Sequence, residues 1–160
     1  CLSKSLTAGL VPMAITSCTQ EIFDAFYSDE IAKGLFHGHT YTANPLACQA
    51  AIAGIDLLKS PEIQENIKQI ISSHQAFGKR IKNNNKVVNM RQIGVIFALD
   101  LNIEMERYGN LRNKLFNHFM ERGVFLRPLG NTIYILPSFI ISKEELDKIY
   151  KAIEESFSLF

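Results

Sequence analysis

Lys4 stands among small hydroxyl and apolar residues, Ser3-Lys4-Ser5-Leu6-Thr7-Ala8-Gly9, just ahead of a short apolar run. A lysine amine attacks carbonyl carbon once deprotonated, which at neutral pH requires burial or neighbouring positive charge. Held rigidly in such a setting it would serve a carbonyl compound or a phosphate. Read from this segment by itself, it is better described as a solvated cation.

A second segment, His37-Gly38-His39-Thr40, places two imidazoles on alternate residues. In a strand they would share a face and suggest a metal, but only Asp29 and Glu30 offer carboxylates nearby and no cysteine stands at ligand spacing. The other reading is an anion site, in which Gly38 allows close backbone approach and Thr40 offers a hydroxyl and an N–H. His74 falls on the apolar stripe of a long helix and reads as a satisfied core or boundary histidine. His118, one residue from the buried face of its helix, is assigned no role.

Arg127 closes the apolar stretch Val124-Phe125-Leu126 and is followed at once by Pro128. Its guanidinium would emerge where a strand meets a turn, a common place for substrate-binding groups, and its planar fork matches a carboxylate bidentately. An ordinary surface ion pair is the evenly balanced alternative. Tyr134 would lie beside it if residues 124–127 and 132–136 paired as a hairpin.

The elements that must position these residues follow from periodicity and punctuation. Gly9 to Thr16 reads as a strand that Pro12 confines to an edge or bulge. Thr19 to Ser28 has helical spacing, and Asp29 to Thr42 reads as loop. Asn44-Pro45 is a helix start, with Asn as cap and Pro at the first helical position, and the helix should run to about Lys59. Its alanines leave room for close packing. A second start at Ser60-Pro61 opens a long helix whose Ile63, Ile67, Ile70, Ile71, Phe77 and Ile81 trace one face, ending in Lys82-Asn83-Asn84-Asn85. Beyond that polar run the pattern changes. Strands are expected at 87–90, 94–101, 124–127 and 132–136, with a helix stopped by Gly123 and a last helix opened by the capping box Ser142/Glu145. The expected class is α/β, with residues 1–85 and 86–160 as its two domains.

Lys+Arg 17 against Asp+Glu 16, without a block of like charge, removes the footprint of a nucleic-acid or anionic-membrane binder. The three cysteines form no Cys-x-x-Cys pair, which argues against a disulfide framework or structural zinc and for a reducing, cytoplasmic setting. No apolar run reaches the length of a membrane span, and the first residues lack the order of a signal peptide.

Three segments in this order resemble the class III, pyridoxal-phosphate-dependent aminotransferases: 2–9 around Lys4, 36–48 from Phe36 to Cys48, and 126–137 from Leu126 to Pro137. Within the class, the third segment is similar to the biotin-biosynthesis enzymes that transfer an amino group from S-adenosylmethionine to 8-amino-7-oxononanoate. Members acting on ornithine, 4-aminobutyrate or other ω-amino acids are the alternative, and some relatives use lysine as donor.

The resemblance implies the following roles. Lys4 would hold pyridoxal 5'-phosphate as an imine and later move a proton. Thr40, with His39 before it, would hold the cofactor phosphate, reaching across a homodimer into the partner's site. Gly38 would lie against the substrate, Arg127 would bind its carboxylate, and Tyr134 would line its pocket. Family members often have proline where His39 stands. No metal, nucleic acid or membrane is implied. The implied fold is the C-terminal portion of a fold-type I transferase: the end of the large domain (1–85), then the small α/β domain (86–160). The elements that family members carry before the lysine have no place ahead of Lys4, so the isolated chain is expected to be an incomplete, inactive fragment.

Overall fold

The computed structural model describes residues 1–104 and 109–160 and divides into two compact units, Cys1–Ser60 and Pro61–Phe160.

The first unit is mostly loop and helix. The helix α1 (Gln20–Phe26) and a 3-10 turn (Ile31–Lys33) precede α2 (Pro45–Lys59). α2 begins where the sequence predicts, because the Asn44 side chain accepts from the N–H groups of Leu46 and Ala47 and Pro45 needs no partner. The strand expected over 9–16 does not form. One isolated antiparallel bridge, Leu2↔Ile15, is all that segment makes among the described residues, since it has no neighbouring strand to complete a ladder. In this unit Thr7, Ala47 and Ala51 are buried, whereas Ile22, Phe23 and Phe26 of α1 and Leu46, Ile52 and Leu57 of α2 are exposed.

The second unit holds the core. A three-stranded antiparallel sheet, β1 (Val87–Ile93), β2 (Ile96–Leu101) and β3 (Thr132–Ile135) in that order, is combined with α3 (Pro61–Ile81), α4 (Asn110–Glu121) and α5 (Lys143–Ser156). Period-two alternation sends Phe97, Leu99, Leu101, Ile133 and Ile135 into the core, where Ile70, Phe77 and Ile81 of α3 and Leu146, Tyr150 and Ile153 of α5 meet them. Phe77 stacks on Tyr150 at 4.3 Å and meets Phe97 edge-on at 5.5 Å. These contacts place α3 with the residues after it, so the boundary between the compact units falls a full helix before the polar run at 82–85. That run turns the chain from α3 into β1.

Turn chemistry sets the boundaries. Gly94, at φ +52, is the first residue of the two-residue turn closing Ile93 onto Ile96, so the second strand starts later than Gly94. Gly123, at φ +65, ends α4 with Val124 N–H on the Phe119 carbonyl and Gly123 N–H on that of Met120, the Schellman pattern. The capping box at Ser142 and Glu145 is present in both directions. Helices combined with a small antiparallel sheet give the α/β class expected.

Candidate active site

Lys4 lies in a tightly wound loop. Leu6 N–H bonds to the Ser3 carbonyl at 2.9 Å and Leu10 N–H to that of Thr7 at 2.9 Å, while the buried Thr7 hydroxyl donates to the Val11 carbonyl at 2.6 Å. Leu2 and Ile15 clamp the base of this loop through two 2.8 Å bonds. Ala8, at φ +50, occupies the left-handed region that residues with a Cβ seldom enter, a local strain of the kind stored at functional loops. Lys4 itself is exposed, and among the described residues its amine has no hydrogen-bond or ionic partner.

Gly54 of α2 was not singled out by sequence reasoning. A Cβ built there would stand 2.9 Å from the Leu6 carbonyl oxygen, so α2 and the lysine loop approach in a way only glycine permits. The signal was available as a lone glycine inside a helical pattern.

The His37–Thr42 segment is a turn, not a strand, so the two imidazoles have no shared strand face. His39 donates its backbone N–H to the Thr42 hydroxyl at 2.9 Å, and its ring Nδ1 accepts the Tyr41 N–H at 3.1 Å. Thr42 N–H returns to the His39 carbonyl at 2.9 Å. The bonds engage the residues around Thr40 and leave its own hydroxyl and N–H without partners among the described residues. Two unengaged donors at a locked turn suit an anion. An alanine at Gly38 would meet only the Thr42 hydroxyl at 3.8 Å, ordinary contact, so nothing within this unit demands glycine there. No hydrogen bond joins Lys4 to His39 or Thr40 among the described residues, and none gather as a group of three His, Cys, Asp or Glu that could hold a metal ion.

In the second unit, residues 124–127 are not the strand expected. Val124 N–H is taken by the Phe119 carbonyl, Leu126 N–H turns back on the Val124 carbonyl at 3.2 Å and Pro128 has no N–H, so these alternate positions have no donor left for a ladder. The expected hairpin shrinks to a two-residue turn closed by Leu129 and Thr132, each donating to the other's carbonyl at 2.9 and 3.1 Å, with Gly130 at φ +59. Tyr134 instead pairs with Ala98 of β2 and is 39% exposed on the outer face of the sheet.

Arg127 is exposed. The contrast with other arginines of this unit is chemical. Arg80 holds Glu154, Arg91 holds Asp100 and Arg122 holds Glu155, whereas Arg127 has no ionic or hydrogen-bond partner among the described residues. The ordinary surface ion pair is therefore not formed among the described residues.

Both histidines of the second unit are structural. His74 is buried and bonded at both ring nitrogens, as expected. His118, expected one residue off the buried face of its helix, is also buried, and its Nε2 lies 2.8 Å from the Ala152 carbonyl oxygen.

Among the described residues no helix is long and apolar enough to cross a membrane.

The family Aminotransferase class-III matches residues 1–157. The adenosylmethionine-8-amino-7-oxononanoate aminotransferase of Synechococcus elongatus is 38% identical over 97% of this chain and 36% of its own length. A bifunctional dethiobiotin synthetase/7,8-diamino-pelargonic acid aminotransferase of Arabidopsis thaliana is 35% identical over 97% of this chain and 20% of its own length. The crystal structure of the adenosylmethionine-8-amino-7-oxononanoate aminotransferase of Methanocaldococcus jannaschii superposes with a TM-score of 0.81 at 30% identity, covering 96% of this chain and 37% of that one. An amine transaminase from an uncultivated Pseudomonas species, solved in its PLP-bound form, gives 0.82 at 25% identity over 98% of this chain and 37% of its own. The chain thus spans a little over a third of most of these relatives. A family match that begins at Cys1 and runs through both compact units covers the lysine loop, the Thr40 turn and the Arg127 turn alike, and the chain belongs to the class III aminotransferases.

Proposed function

We propose that this chain is the lysine- and arginine-bearing portion of an aminotransferase that moves an amino group from S-adenosylmethionine to 8-amino-7-oxononanoate, giving 7,8-diaminononanoate for biotin. The observation that carries the reading is the agreement of relatives from distant organisms on that acceptor, at 38, 37 and 32% identity over nearly the whole chain.

The side chains fit the cofactor this reading needs. Thr40 offers two donors without partners among the described residues, at a turn locked on both sides, and Lys4 offers an amine likewise unengaged among them, on a clamped loop. Pyridoxal phosphate, when bound, supplies the conjugated ring that takes up the electron pair of the substrate carbon. Lys4 would hold it through Nζ and, once displaced by the incoming amine, carry a proton to and from that carbon. Thr40, in a homodimer, would serve the partner's site, with His39 fixing its turn and Gly38 leaving room for substrate. Arg127, without a partner among the described residues, would take the acceptor's carboxylate bidentately, and Tyr134 would line the apolar side of the pocket.

Residues 1–85 would then be the end of the large domain and 86–160 the small domain. The unit Cys1–Ser60 buries so few side chains that it needs polypeptide outside these residues to cover Phe23, Phe26 and Leu46. The 160-residue chain by itself would therefore neither hold the cofactor firmly nor turn over.

The test is an assay of the complete enzyme with S-adenosylmethionine and 8-amino-7-oxononanoate, scored by mass spectrometry for 7,8-diaminononanoate. Lys4→Ala should abolish the product. An enzyme that aminates ornithine-type or 4-aminobutyrate-type acceptors and leaves 8-amino-7-oxononanoate untouched would sink the reading.

A further inference from the structure

We propose that Asp100, acting through Thr132, is a positioning residue for Arg127. The inference rests on the reading of Arg127 as the carboxylate-binding residue and adds what holds that arginine in place.

Asp100 lies on the outer face of β2, and among the described residues every bond to its carboxylate comes from a strand neighbour. One oxygen accepts from the Arg91 guanidinium at 2.5 Å and from the Asn89 amide at 3.3 Å, both on β1. The other accepts from the Thr132 hydroxyl at 2.7 Å, at the first residue of β3. The register puts these residues side by side, with Asn89 opposite Asp100 and Asp100 opposite Thr132. One carboxylate therefore ties the outer faces of all three strands. A surface pair between Arg91 and Asp100 would by itself be worth little, but here the acid has three donors and is only 21% exposed.

Thr132 passes this restraint to the arginine. Its backbone exchanges both hydrogen bonds with Leu129, two residues after Arg127, and Pro128 between them has its φ fixed by its ring. The tip of the turn is held as well. Asn131 accepts from Leu101 N–H at 2.8 Å, and its side-chain amide donates to the Leu101 carbonyl at 3.0 Å. Asn131 and Thr132 are thus pinned to β2 at consecutive positions, while the guanidinium of Arg127 has no partner among the described residues. A fork that must meet a carboxylate with both its N–H groups loses binding when its base wanders.

The experiment uses the complete enzyme and compares Asp100→Ala, Thr132→Val, Thr132→Ser and Arg127→Ala. Removing the carboxylate or the hydroxyl should raise KM for the carboxylate-bearing acceptor about tenfold and leave kcat and the cofactor's affinity unchanged. Thr132→Ser, which keeps the hydroxyl, should restore it, and the methyl ester of the acceptor should not distinguish the variants. Amide exchange at Leu129 and Thr132 should quicken in Thr132→Val. Should Asp100→Ala fail to fold, Thr132→Val decides. An unchanged KM and unchanged exchange in Thr132→Val, beside a raised KM in Arg127→Ala, overturns the positioning role. An Arg127→Ala enzyme with unaltered KM overturns the reading of Arg127 instead, and amide exchange then still reports whether Asp100 holds the turn.

Discussion

Tyr150 donates its hydroxyl hydrogen to Nδ1 of His74 across 2.8 Å, and Nε2 of the same ring lies 3.0 Å from the Val95 carbonyl oxygen. A carbonyl can only accept, so Nε2 carries the proton and Nδ1 is left to accept from Tyr150. With burial favouring the neutral ring, this geometry selects the Nε2–H tautomer and joins α3, α5 and the β1–β2 turn through one buried ring. Tyr150→Phe keeps the stacking on Phe77 but strands Nδ1 without a donor. The expected loss is about 1–3 kcal/mol in denaturant unfolding with an unchanged slope. An unaltered midpoint would show that the ring nitrogen finds another partner.

The same burial gives a pH dependence. Desolvation holds His74 below its ordinary value of 6.5, against a smaller opposing pull from the Val95 bond. Below 6.5 the unfolded chain therefore binds a proton that the native state refuses, and stability falls with falling pH. Asp100 acts later. The Arg91 hydrogen bond, helped by Thr132 and Asn89 and offset by burial, holds its carboxyl below the usual 3.8, so its contribution is present above that value and is lost as pH falls through the native pKa. Tm measured against pH should fall in two stages, and His74→Gln should remove the first stage alone. A wild-type Tm that stays level down to the carboxylate range would refute the assignment.

Gly54 sets stability against activity. Alanine is the better helix former by about 0.8–1 kcal/mol. Its Cβ, however, would press to 2.9 Å on the Leu6 carbonyl, a backbone atom that can yield only by moving the lysine loop. Gly54→Ala should leave the helical circular-dichroism signal intact and lower kcat, by up to about a hundredfold for a displacement near 1 Å. Gly54→Val should be worse. A variant with full turnover would mean that the loop shifts without moving Lys4.

Much of the second unit was legible because its signals are local. The stripe Ile70, Phe77 and Ile81, the Schellman glycine Gly123 and the Ser142/Glu145 box each act over a few residues, and each forms. The expectations that failed depended on partners. Residues 9–16 have strand composition but no strand to pair with, and 124–127 lose their ladder to Pro128 and to the bond from Leu126 to Val124. Of the candidate site, Lys4, Thr40 and Arg127 could be named from sequence. Asp100 could not, because its three donors come from positions 11, 9 and 32 residues away and meet only once the register is set.

Thr40 and His39 should separate in their effects on cofactor affinity. The Thr40 hydroxyl would donate directly to a charged phosphate oxygen, and such a bond is worth about 1.5–3 kcal/mol. Thr40→Val should therefore weaken the apparent cofactor Kd by about ten- to a hundredfold. His39 is engaged within its own turn. Its ring holds the Tyr41 N–H and its backbone holds the Thr42 hydroxyl, so it keeps the turn in shape. His39→Ala keeps the backbone donor and loses only the ring, and should weaken affinity a few-fold while quickening amide exchange at Tyr41. His39→Pro deletes the backbone donor as well and should loosen Thr42 further unless the ring of proline stiffens the turn in compensation. Cofactor titration by absorbance, with exchange measured on the same samples, distinguishes these cases. Equal losses in Thr40→Val and His39→Ala would assign the imidazole a direct bond to the phosphate that the turn geometry does not require.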